Sequence, residues 1–249
     1  MKRLITAVLL LISCQTVMAQ SQPGIFEEEW RYKLKVSLFG LTTDSAGAAV
    51  LSSWASGQER ILTFWGQGSA YGKKVDNSAA VVIDSLGRIE KIVHCFSDAK
   101  VEVWQVDHVS QNVYHLVGDH WLDTLTLDYQ PLDALSAIYY LRGFPLAVGQ
   151  PISLTIIGHG ATTASAWKSA VVEVKAKERK QLLGQTIECW KLVVTLDRRD
   201  NLFLGNKVTL WVTADEALIP VAVKTSIKFL HLFPLLTVTA ELVSQKGGP

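Results

Sequence analysis

Hydrophobic and polar residues alternate one by one along most of this chain. "RYKLKVSL" sets Tyr32, Leu34, Val36 and Leu38 against Arg31, Lys33, Lys35 and Ser37. The same period of two recurs in "VVEVKAK" from Val171, "CWKLVVTL" from Cys189, "PVAVKTSIKF" from Pro220 and "LLTVTAEL" from Leu235. Side chains in a strand point to opposite faces in turn, so each stretch predicts a strand with one face in a core and one toward water. Such regular alternation favours antiparallel pairing, because parallel strands are buried on both faces. Turn signals separate the runs: "TDSAG" from Thr43, "DSLG" from Asp84, "SQN" from Ser110 and "LGN" from Leu204. Counting runs between such signals predicts roughly ten to thirteen strands arranged as meanders and hairpins.

One segment breaks the alternation. "DALSAIYYLRGFP" (Asp133–Pro145) reads as a single short helix near 133–142. Asp133 is placed to cap the first turn, Arg142 to complement the last turn, Gly143 to take a left-handed C′ conformation, and Pro145 to stop the helix. Between these signals only Ser136, Tyr139 and Tyr140 carry polar atoms. A helix with apolar flanks all round has to be buried all round. A flat layer covers one side of a helix, whereas a curled one covers more, and a sheet of more than about ten twisted strands tends to curl. The predicted fold is mainly β: a large curved antiparallel sheet, an open half-barrel, with one short buried helix in its hollow.

The ends carry different information. Lys2 and Arg3 precede the apolar run Leu4–Ile12, and Val17 and Ala19 suit the −3 and −1 positions of a leader cleavage site. Residues 1–19 are expected to be a signal peptide and residues 20–249 a single β domain. "LISC" (Leu11–Cys14) also resembles a lipoprotein box, which would make Cys14 an acylated membrane anchor. Cleavage after Ala19 is the favoured reading, with export to the periplasm. No later apolar run is long enough for a transmembrane helix. "SQPG" and "QKGGP" read as solvated tails.

Removal of Lys2 and Arg3 takes the formal net charge from +1 to −1. No basic stripe remains, which argues against a nucleic-acid partner. Cys95 and Cys189 stay in the mature chain; an oxidising compartment permits a bond between them, and two buried thiols are the simpler reading.

"DALSAIYYLRGFPLAVGQ" resembles the signature of the DUF3108 family of exported bacterial proteins, through Asp133, Leu135, Ser136, Tyr139, Tyr140, Arg142, Pro145, Leu146 and Gly149. "LWVTADEALIPVAVKTSI" is similar to the family's closing pattern. The resemblance spans roughly residues 26–244 and is strongest in the second half. It implies an open antiparallel half-barrel with helical filler, similar to lipoprotein carriers, and no assigned activity.

Candidate chemistry adds little. The six histidines show no ligand spacing, and "HLVGDHWLD" (His115–Asp123) reads as turn and edge polar residues, so no metal or cofactor is expected. "GQGSAYG" (Gly66–Gly72) lacks the helix and Lys-Ser/Thr ending of a phosphate loop, and there is no serine-hydrolase elbow. Eight tryptophans spread over the strands suit a wide core or an apolar pocket wall. The chain is therefore read as a non-catalytic exported protein holding an apolar or amphipathic ligand, a lipid or lipidated partner, in a concave sheet. Ser136, Tyr139, Tyr140 and Arg142 are the candidate ligand-binding residues, against a purely structural role in which they tie the helix to its strands. The alternatives are a structural envelope protein that docks to an assembly partner, or a glycan-active enzyme.

Overall fold

The computed structural model describes residues 28–38, 41–70, 73–96, 100–157, 167–196, 207–229 and 233–247. The leader, the lipobox at Cys14, the "SQPG" segment and the "LGN" turn lie outside the described residues. The first half of the chain forms β1 (Glu28–Leu38), β2 (Leu41–Ser56), β3 (Glu59–Ala70), β4 (Lys73–Ile83), β5 (Ile89–Cys95), β6 (Val101–Asp107), β7 (Asn112–Val117) and β8 (His120–Thr126). Helix α1 (Ala134–Tyr140) and a 3-10 turn (Leu141–Gly143) follow. The second half forms β9 (Pro151–Ile157), β10 (Trp167–Leu182), β11 (Gln185–Leu196), β12 (Lys207–Thr213), β13 (Pro220–Phe229) and β14 (Phe233–Gly247).

All fourteen strands belong to one antiparallel sheet in the order β8-β7-β6-β5-β4-β3-β2-β1-β14-β13-β12-β11-β10-β9. Each half is a meander, and the β1–β14 ladder, from Glu28↔Gly247 to Leu38↔Leu236, joins them. The two edges are β8 and β9, which are consecutive in sequence. The segment between them has to cross from one edge of the sheet to the other, and that crossing carries α1.

The crossing shows how strongly the sheet bends. Helix α1 packs against β3, β4 and β9. Strands β4 and β9 are nine places apart in the sheet, which is ~43 Å if flat at the usual strand spacing. A helix only about 10–12 Å across cannot reach both unless the sheet folds over it. Leu132 completes the contact by bridging to Ile156, with the Ile157 amide donating to the Leu132 carbonyl at 2.7 Å. The sheet is an open curved layer, not a closed barrel, with the helix in its hollow.

Alternation sets which face turns inward. In β10, Ala170, Val172 and Val174 are buried, whereas Ser169, Val171 and Lys175 face out. One continuous core runs from Trp30 and Leu62 through Ile92 and Trp104 to Val172, Leu192 and Leu210, and it includes Leu135, Ala137 and Leu141 of the helix segment. A seven-residue helix is too short to hold itself in water, so this packing and its cap keep it formed.

Four local expectations need correction. "TDSAG" is not a hairpin turn: it lies within β2, where the register against β1 jumps from Leu34↔Gly47 to Val36↔Thr43. The extra residues make a bulge, and Gly47 is required there because a Cβ would lie 2.0 Å from the Gln67 carbonyl oxygen. Gly143 does not take a positive φ; the helix closes through the 3-10 turn, whose end is bonded from the Phe144 amide to the Leu141 carbonyl. The "QKGGP" tail is not loose as a whole, since Gln245–Gly247 pair with β1. Burial of the helix is incomplete: Ala134 is exposed and Tyr140 is 43% exposed, because the open side of the half-barrel leaves those positions uncovered. Cys189 is a buried free thiol on β11, so it is not bonded to Cys95.

The β10–β11 hairpin offers a direct test of turn chemistry. Its two-residue loop, Leu183 and Gly184, has positive φ at both positions, 51° and 80°. Leucine is strained there, and it is exposed, so its side chain contributes little packing. Leu183→Asn is expected to raise stability by about 0.5–1 kcal/mol, because Asn-Gly suits this turn and left-handed backbone is costly for leucine. Urea unfolding of the two proteins side by side measures the difference.

Candidate functional site

The helix is held at its two ends by two different polar constellations. At the N-terminal end the Asp133 carboxylate accepts from the Ser136 amide at 2.8 Å, and the Ser136 hydroxyl accepts from the Asp133 amide at 2.8 Å. This is a reciprocal capping box that satisfies two otherwise orphaned donors. The second carboxylate oxygen of Asp133 accepts from His94 Nε2 on β5 at 2.9 Å, and both residues are buried. Burial pushes the Asp133 carboxyl up, but the hydrogen bond and charge of His94, with the bonds from Ser136, outweigh it and hold the group below the usual carboxylate range. The cap thus fastens the start of the helix to the first meander.

At the other end, Arg142 Nη1 donates to both carboxylate oxygens of Glu28, at 3.2 and 3.0 Å. Its guanidinium carbon lies 4.7 Å from the ring centroids of both Trp30 and Tyr139, and those two rings stack at 5.8 Å. Burial drives the Tyr139 phenol well above its ordinary pKa, with Arg142 pulling the other way. The Tyr32 phenol is also raised by burial, then by Tyr139, and it donates to the Pro220 carbonyl at 2.8 Å. Arg142 was expected to serve the helix dipole; it instead ties the end of the helix to β1. Trp30 Nε1, Ser53 Oγ, Tyr139 Oη and the Nε and Nη2 of Arg142 are buried and meet no hydrogen-bond partner at bonding geometry among the described residues. Ser53 lies beside Tyr139 and pulls its phenol pKa down, against the burial that raises it.

Arg142 also lines a surface groove of about 420 Å³ with Phe144, Pro145, Leu146, Trp190 and Leu218. Asp215 and Glu216, in the β12–β13 turn, lie at the same groove. Leu218 has a positive φ of 44°, rare for a bulky residue, and the turn holds it there through Thr213, whose amide donates to the Ile219 carbonyl at 2.9 Å. The strain sits in the groove wall.

Of the four candidate residues, Tyr139 and Arg142 come together. Ser136 is occupied in the cap at the far end of the helix, and Tyr140 points outward and packs on Phe144 with ring centroids 5.2 Å apart. The groove residues Phe144, Leu146, Trp190 and Leu218, and the anchor Glu28, were not singled out from the sequence as binding residues. A separate buried polar group lies on β6 and β7: Trp104 stacks on His115 at 3.6 Å, and Lys100 pairs with the buried Glu102 at 2.5 Å. Burial holds the His115 pKa below its ordinary value, against the pull of Glu102. Among the described residues no group of three or more His, Cys, Asp or Glu side chains is arranged to hold a metal ion, and no helix is long and apolar enough to cross a membrane.

The sequence model of DUF3108, described as a protein of unknown function, matches residues 96–230, more than half of the chain. The chain belongs to the DUF3108 family. The matched DUF3108 segment contains the cap, Tyr139, Arg142 and every groove residue, whereas Glu28 and Trp30 precede it. Among solved structures, a Bacteroides fragilis protein described as exported, with a YmcC-like fold, shares 10% identity over 89% of this chain and 99% of its own, at a TM-score of 0.32. A Parabacteroides distasonis protein described as a lipoprotein shares 12% over 90% and 100%, at 0.31. A DUF1329 family protein from Desulfovibrio piger shares 10% over 95% and 90%, at 0.25. No curated protein matches the chain significantly.

Proposed function

We propose that this DUF3108 protein is an exported, non-catalytic protein of the periplasm that binds an apolar or amphipathic ligand at the groove where the helix segment meets the second meander. One observation carries the reading: a groove of about 420 Å³, within the usual size range of small-ligand sites, walled by Phe144, Pro145, Leu146, Trp190 and Leu218. The leader-like pattern of residues 1–19 supports export. The lining includes no Ser, Thr, Cys, His or Lys side chain among the described residues. Its two carboxylates are sequence neighbours, and Asp215 is engaged by the Thr213 hydroxyl at 2.5 Å and the Ala217 amide at 3.2 Å. That arrangement suits holding more than bond cleavage, and it does not resemble the facing carboxylates of a glycosidase.

Native mass spectrometry of the mature protein with oleate tests the proposal. A one-to-one adduct is expected, and Leu146→Asp is expected to weaken uptake at least tenfold by placing a charge in an apolar wall. Absence of any adduct, or an adduct indifferent to Leu146→Asp, overturns it. A second reading, docking of an envelope partner, is favoured by edge strand β8, whose Trp121 and Leu122 are each 57% exposed. Crosslinking through β8 in cells, without ligand uptake, would favour that reading.

A further inference from the structure

The donors around Arg142 outnumber their acceptors. Nη1 is satisfied by Glu28, but Nε and Nη2 are buried and meet no partner at bonding geometry among the described residues. These two N–H groups lie on one edge of the guanidinium plane, and together they form the fork that fits two oxygens of a carboxylate or phosphate. Trp30 Nε1 and Tyr139 Oη, also without partners among the described residues, belong to the two rings that sandwich the same guanidinium; Ser53 Oγ lies beside the Tyr139 phenol, and Trp30 and Ser53 are fully buried. All five groups can donate. Buried polar groups in folded proteins are overwhelmingly paired, so a concentration of unpaired donors marks a place built for a partner that brings acceptors. Arg60 adds a second positive charge within electrostatic reach of Tyr139, and Glu28 is the carboxylate bonded to Arg142.

We infer that this cluster takes the anionic head, carboxylate or phosphate oxygens, of an amphiphile whose apolar tail lies along Phe144, Leu146, Trp190 and Leu218. The inference rests on the groove reading above and names the chemistry of its ligand. Arg142 both lines the groove and carries the fork, with 18% of its side chain exposed, so the head is assigned to the Arg142 end of the groove. Asp215 and Glu216 line the same groove from the β12–β13 turn. Asp215 is committed to that turn by Thr213 and Ala217, and Glu216 is exposed. They orient the ligand by repelling its head from the turn.

Four probes distinguish the parts of this inference: oleate and oleoyl lysophosphatidate (tail with anion), methyl oleate (same tail without it) and inorganic phosphate (anion without tail). Titrated into the mature protein and followed by tryptophan fluorescence, both anionic amphiphiles are expected to bind at least tenfold more tightly than methyl oleate. The Glu28→Gln, Arg142→Gln double variant, which leaves no lone charge behind, is expected to erase that preference. Glu28→Gln alone is expected to keep it, because the fork remains. Methyl oleate binding as tightly as oleate, or a folded double variant that still discriminates, overturns the head assignment and leaves the groove reading standing. Phosphate alone binding as tightly as the amphiphiles overturns the role of the tail. Failure of every tailed probe to bind overturns the groove reading itself.

Discussion

Asp133→Ala is expected to destabilise the folded protein by about 2–4 kcal/mol at neutral pH, the sum of a lost helix cap and a buried hydrogen-bonding group left without its partner. Two losses add. The helix loses its N-cap, worth about 0.5–2 kcal/mol, and His94 Nε2 loses the acceptor it bonds at 2.9 Å in a site closed to water. Asp133→Asn separates the two, because asparagine also caps well but carries no charge; its cost should fall between those of wild type and Asp133→Ala. The effect is pH-dependent with a definite sign. The folded-state pKa of Asp133 lies below its unfolded value, so the unfolded state binds more protons in acid. The stability from this carboxylate is complete above the unfolded value of about 4 and is lost as pH falls through the depressed folded value. Urea midpoints measured from pH 7 down to pH 2 should show the gap between wild type and Asp133→Asn closing on the acid side only. A loss below about 1 kcal/mol for Asp133→Ala would mean that the cap and the His94 contact do not fasten the helix.

The same segment shows how far the sequence could be read. Alternation in β1, β10, β11, β13 and β14 is a local property, and it predicted the strands and the antiparallel layer because each residue's face follows from its neighbours. The helix was legible for the same reason: Asp133 and Pro145 are start and stop signals within one short window. Its burial led to the curled sheet, which the contacts to β3, β4 and β9 bear out. What local pattern does not carry is which strand a side chain meets. Arg142 looked like a helix-dipole residue because its carboxylate partner, Glu28, is 114 positions away. Gly143 looked like a left-handed C-cap because the spacing fits, yet the 3-10 turn closes the helix without it. Tyr140 looked buried because the helix is apolar around its whole circumference, but the hollow is open where Tyr140 emerges. "TDSAG" has the composition of a turn, and only its pairing with both β1 and β3 turns it into a bulge. The groove escaped notice for a related reason. Its walls come from three separated segments, the 3-10 turn and its exit, β11, and the β12–β13 turn, and none of their residues is unusual in its own window.

Trp30→Ala is expected to have an effect of similar size, about 3–5 kcal/mol, as for large aromatic residues truncated in a packed core. Trp30 is fully buried on β1, next to the ladder that joins the two meanders, so the cavity would open at the seam of the sheet. It would also remove one wall of the aromatic sandwich around Arg142, leaving the guanidinium held by Glu28 and Tyr139 alone. A double-mutant cycle between Trp30→Ala and Arg142→Gln isolates that contact, and a coupling of about 0.5–2 kcal/mol is expected for a cation held over an indole face. Trp30→Phe provides the contrast. It retains an aromatic surface against Tyr139 and Arg142 and deletes the unbonded Nε1 donor, so its cost should stay near 1–2 kcal/mol, on the order of a modest core truncation. Chemical denaturation gives the three stabilities, and the ligand titration on the folded Trp30→Phe variant gives their functional counterpart. If the indole N–H belongs to the anion-binding donors, Trp30→Phe weakens oleate binding while leaving methyl oleate unchanged. If Trp30 serves packing alone, the two ligands respond alike. Stability then reports what the indole ring does for the sheet, and the oleate-to-methyl-oleate ratio reports what its nitrogen does for the ligand.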